Sequence, residues 1–133
     1  MKQLCIVLLV SISLSVAAHA AHASYQHEFS VKAYEEFHDV LHPLQHEALP
    51  KGDFATIRAR SLELVKHGRA IVKAGVPKSV PVDRVADFKK RLATFNKTLT
   101  QFRKDAKSGR DDQLKTSYSA VHEEFEALAD LVR

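Results

Sequence analysis

The stretch DRVADFKKRLATFNKTLTQFRKDA, residues 83–106, decides the fold. Its apolar residues Val85, Phe88, Leu92, Phe95, Leu99, Phe102 and Ala106 recur at alternating steps of three and four. At about 100° per residue that spacing gathers them on one face of a helix and leaves Lys, Arg, Asn and Gln on the other. Ser108 and Gly109 close the pattern. No segment of the chain alternates every second residue as a half-buried strand would.

Working outward, the same period reappears on both sides. After Gly109 a fourth helix is expected, capped by Asp111, with Leu114, Tyr118, Val121, Phe125, Leu128 and Val132 on its seam. Upstream, Asp53 is the expected N-cap of a second helix whose stripe is Phe54, Ile57, Ser61, Leu64, Gly68 and Ile71, stopped by Gly75 and Pro77. The small residues Ser61 and Gly68 leave volume in that seam, for close helix approach or for a bound group. A first helix over residues 26–48 carries Tyr34, Phe37, Leu41, Leu44 and Ala48, with Pro43 expected to kink it. Short connections between amphipathic helices predict an all-α, antiparallel up-down-up-down four-helix bundle over residues 26–133.

Residues 1–20 read differently. Lys2 precedes a 13-residue run, Leu4 to Val16, of apolar residues and serines, and Ala18, His19 and Ala20 give a small-x-small cleavage site. This is the form of a secretory signal peptide, with an alternative cut after Ala23, and the run is too short for a membrane helix. The expectation is a soluble protein exported to the periplasm, with no membrane span after cleavage. Cys5 and Met1, the only sulfur-bearing side chains, would leave with the signal.

The composition, 45% hydrophobic and 27% charged with four Gly and four Pro, excludes disordered and collagen-like chains. The net charge of +4 is spread among acids and there is no Trp, so no nucleic-acid footprint is present. No nucleophile triad, phosphate-cradling glycine loop or paired-carboxylate acid/base site is visible, and the chain is not expected to be an enzyme.

The histidines are the residues a bundle does not require. On helical geometry His38 lies roughly 80° from the first stripe, His42 roughly 120° and His46 roughly 160°, while His122 lies roughly 80° from the fourth stripe with Glu126 one turn on. His38 and His122 can therefore face each other across the groove between the first and last helices. Together with His42 or Glu126 they form an N/O donor set for a divalent ion, and the lack of sulfur favours Cu(II), Zn or Ni. Pro43 bears against His42 by biasing it away from helical geometry. The acidic rim around this pair serves equally as a solvated face, and His46, His67, His22 and His27 are expected to be structural.

Several features resemble the periplasmic cytochrome b562 family of four-helix bundles over roughly residues 34–125. The run Gln113, Leu114, Lys115, Thr116 followed by His122 is similar to the approach to the axial His in that family's last helix, and Asp87 with Phe88 resembles a dipeptide of its third. Aligning Leu41 with the family's leucine puts His38 where the family has an axial Met. The resemblance implies a non-covalent b-type haem with His38 and His122 as axial ligands, Phe88 and Leu92 against the ring, and electron transfer as the role. Three readings thus stand: a metal-ion-binding bundle with a redox or metal-transfer partner, a bis-His haem electron carrier, and a ligand-free interaction or chaperone-like bundle.

Overall fold

The computed structural model describes Phe29 and residues 31–132; the signal-peptide and N-terminal histidine readings lie outside these residues. The described chain is all-helical, with four α-helices: α1 (Lys32–Pro43), α2 (Phe54–Ala74), α3 (Val85–Ser108) and α4 (Asp111–Ala129). A π-turn, Leu44–Ala48, continues α1, and a 3-10 turn, Val82–Arg84, precedes α3. The close backbone approaches join α1 to α2, α2 to α3 and α3 to α4, the neighbour order that short connections require.

The caps follow local chemistry. Asp53 accepts from the Thr56 N–H at 3.0 Å and from its hydroxyl at 2.7 Å. Those two bonds hold the Asp53 carboxyl below the usual aspartate range, so its cap is present above the ordinary value and is lost as pH falls through the lowered one. Gly75 ends α2 at φ 70°, a conformation that costs a residue with a Cβ. At the α3/α4 connection the expectation needs a correction of one residue. The N-cap is Arg110, whose N–H donates to Gln113 Oε1 at 2.9 Å, and Asp111 is already helical.

Every expected seam residue of α3 from Phe88 to Ala106 is buried, as are Leu114, Tyr118, Val121, Phe125 and Leu128 of α4 and Ile57, Ser61, Leu64, Gly68 and Ile71 of α2. Gly68 marks close approach, because a Cβ built there falls 2.7 Å from both terminal carbons of Leu99 on α3. Leu99 is fully buried, so it has little room to yield. We expect Gly68→Leu to lower unfolding stability by about 1–3 kcal/mol through overpacking, as read from a shifted urea midpoint at unchanged slope.

Between α1 and α4 the core is aromatic. Phe37 and Phe125 lie 4.7 Å apart by ring centroids, with Tyr34 and Phe29 at 6.0 and 5.9 Å from Phe125. The Tyr118 hydroxyl donates across to the Leu41 carbonyl at 3.2 Å, and burial pushes its phenol well above the ordinary tyrosine range, so it stays a donor.

Pro43 does not break the first helix. Its ring removes one backbone donor, and the chain responds by widening: Leu49 N–H bonds to Leu44 O at 2.9 Å across five residues, the signature of a π-turn. Helical structure therefore persists to Ala48, and its start at Lys32 is the first residue of regular helix among those described.

Candidate metal site

His38, His42 and His46 form a row along α1 and its π-turn. Residues four apart on an α-helix share a face with an offset of about 40°. Between His42 and His46 the chain passes from α-helix into the π-turn, whose smaller rotation per residue offsets much of that 40° and brings the two side chains closer to eclipse. The ring separations follow: 5.4 Å between His38 and His42, then 4.4 Å between His42 and His46 across Pro43. The proline expected to spoil the row instead brings its outer two members together.

The inner end of the row is anchored. The His38 ring stacks on Phe125 at 6.3 Å with 25° between planes, and lies 5.8 Å from Phe29. His38 is half-buried, whereas His42 and His46 are exposed. On α4, His122 and Glu126 are both half-buried, but among the described residues no hydrogen bond, ion pair or ring contact joins His122 to His38. Phe125, not His122, is the α4 ring beside His38. Phe88 and Leu92 lie in the core of α3. Among the described residues no three His, Asp or Glu side chains converge closely enough to hold an ion together.

The His42 and His46 rings have the spacing a shared ion would need. A metal–nitrogen bond of about 2.0–2.1 Å plus about 1.1 Å from nitrogen to ring centre places an ion about 3.2 Å from each centroid. Two imidazoles bound about 90° apart then have centroids about 4.5 Å apart, and at the tetrahedral angle about 5.2 Å. The observed 4.4 Å corresponds to the first arrangement and the 5.4 Å of His38 and His42 to the second.

Another histidine finds a partner that the sequence did not suggest. His67 Nδ1 on α2 lies 3.7 Å from Glu36 Oε2, whose other oxygen pairs with Lys32 at 2.9 Å. Lys32 foremost, and His67 after it, hold the Glu36 carboxyl below its usual range. His67 thus ties α2 to α1 beside the row rather than joining it.

With this geometry established, comparison with known proteins adds no assignment: no protein-family model, curated protein or solved structure matches the chain. Among the described residues no helix is long and apolar enough to cross a membrane. What the fold and the site define is an all-helical chain carrying a row of imidazoles that runs along its first helix from the core edge at His38 to the exposed His42 and His46.

Proposed function

We propose that this chain is an exported, periplasmic up-down-up-down four-helix bundle that binds a divalent transition-metal ion through His42 and His46, with His38 next in the row. The observation that carries the reading is the 4.4 Å separation of two exposed imidazoles across a π-turn. Two nitrogens held on adjacent turns lose little freedom on binding, and water completes the ion's coordination. An ion so exposed is suited to capture and transfer to a partner rather than to catalysis. By the usual order of divalent affinities Cu(II) binds tightest, with Ni and Zn weaker. Protons compete for the same nitrogens, so affinity falls on acidification.

A haem between α1 and α4 fits the packing poorly. An axial role needs the edge of the His38 ring turned toward iron and open space between the helices. That ring instead lies beside Phe29 and Phe125, and Phe125 is itself packed among Phe29, Tyr34 and Phe37.

Calorimetric titration of the purified protein with Cu(II), Ni(II) and Zn(II) tests the proposal. One ion per chain is expected. Losing a partner that merely orients a ligand weakens metal affinity by about 10–100-fold, so His42→Ala or His46→Ala should weaken Cu(II) binding by about 100-fold or more. His122→Ala should leave it unchanged. A loss seen instead in His38→Ala and His122→Ala would move the ion into the α1/α4 groove. Binding indifferent to all four changes would remove the metal reading.

A further inference from the structure

Between α3 and α4, near the turn that joins them, a cleft of about 400 Å³ is lined by Thr98, Gln101 and Asp105 from one side and by Thr116, Ser117 and Ala120 from the other. Its volume falls within the range of small-molecule sites. Most of the residues that line it carry a polar group set among methyl and methylene carbons, where a groove between packed helices ordinarily closes on interdigitated apolar side chains.

The polarity has a direction. The Thr98 hydroxyl donates to the Phe95 carbonyl at 2.8 Å, and Thr116 to the Asp112 carbonyl at 2.9 Å. The Ser117 hydroxyl is shared between the Gln113 and Leu114 carbonyls at 3.1 and 3.2 Å. All three hydroxyl protons are thus engaged by helix backbone, and the oxygens left over act as acceptors. Asp105 adds a carboxylate, and at 8% exposure it is one of the few buried polar residues.

That carboxylate has no cation of its own. Both oxygens accept from Gln101 Nε2 at 3.0 Å, a neutral donor on the same helix. No Lys, Arg or His among the described residues pairs with it. Arg58 bonds the main-chain carbonyl of Asp105 and places its charge against Asp111 at 2.7 Å. Asp112, at the other wall, is matched by Arg110. Withdrawing a carboxylate from water is unfavourable unless a positive partner replaces the solvent. An acceptor-rich cleft beside it is complementary to a ligand that brings both positive charge and donors.

We propose that the α3/α4 cleft binds a small aliphatic ammonium ligand, a linear diamine or short polyamine. Its ammonium group sits on the Asp105 carboxylate and the hydroxyl oxygens, and its methylenes run along Ala120 and the methyl groups of Thr98 and Thr116. This site stands apart from the histidine row and does not depend on it.

Calorimetric titration with 1,4-diaminobutane and spermidine, with 1,4-butanediol as the uncharged counterpart, tests the proposal. One amine per chain should bind and the diol should not. Asp105→Asn, which keeps the shape and one of the two Gln101 contacts, should weaken amine binding by about tenfold or more. Ala120→Leu, which narrows the cleft where the methylenes would lie without changing charge, should abolish it, and decides the matter if the Asp105 variant fails to fold. A variant lacking both His42 and His46 should bind the amine normally. No saturable binding, or binding retained in Ala120→Leu, overturns the site and assigns any attraction to general screening of surface carboxylates.

Discussion

Phe125→Ala lowers unfolding stability by about 3–5 kcal/mol, the range for truncating a buried aromatic ring. Phe125 is fully buried, and its ring is the one that Phe29, Tyr34, Phe37 and His38 share. Deleting it removes the burial of its own surface and leaves a void facing four rings whose positions are set by different parts of the chain. Those rings cannot all move inward together, so the upper part of the range is expected. Phe125→Leu retains most of the volume and should cost distinctly less. Urea unfolding measures both. The same substitution has a local readout, since the His38 ring protons lose the ring current of a stacked neighbour and should shift in the proton spectrum. A loss under about 1 kcal/mol would mean that the α1/α4 core is loosely packed, and an unchanged His38 signal would remove the stacking on which its fixed position rests.

The helices were legible in the sequence because burial imposes the period: a residue such as Leu99 or Phe102 can only be where a continuous stripe puts it. The Asp53 cap was legible because few residue types cap a helix, whereas Gly68 announced volume in the seam without saying whether a helix or a bound group takes it. The candidate site was less so. Helical arithmetic at a constant angle placed His46 on the outer face, which agrees with its exposure, but it could not foresee that Pro43 would be accommodated by a π-turn that brings His46 closer to eclipse with His42. The facing of His38 and His122 depended on which side chain of α4 reaches α1. At that level the larger, more apolar Phe125 takes the contact. The proline itself was the available signal, read as a kink that would turn His42 away, when a helix held by Leu44 and Ala48 in the core accommodates it by widening.

Arg58 was missed altogether, because its partners lie about fifty residues away and no periodicity announces them. Its guanidinium donates from Nη1 to the carbonyls of Asp105 and Ala106 at 2.9 and 3.2 Å, and from Nη2 to the Gly109 carbonyl at 2.9 Å. The last carbonyls of a helix have no partner within it, and their dipoles present partial negative charge. A cation from α2 therefore finishes the C-terminus of α3 and fixes the turn into α4. That turn is tight: a Cβ at Gly109 would fall 2.9 Å from the Asp105 carbonyl oxygen. Hydrogen bonds to a charged group are worth about 1.5–3 kcal/mol each and do not add fully, so Arg58→Ala is expected to cost about 3 kcal/mol. The exposed pairing with Asp111 supplies little of this, and Asp111→Ala should cost less than about 1 kcal/mol. Arg58→Lys, a single point charge without the fork, should recover less than half of the loss. Because the bonds run to main-chain carbonyls in a half-buried setting rather than between surface charges, the difference between wild type and Arg58→Ala should persist in about 1 M salt, where surface ion pairs are screened. Thermal unfolding at low and high salt reads all three variants, and an Arg58→Ala effect that vanishes with salt would reduce the residue to a surface ion pair.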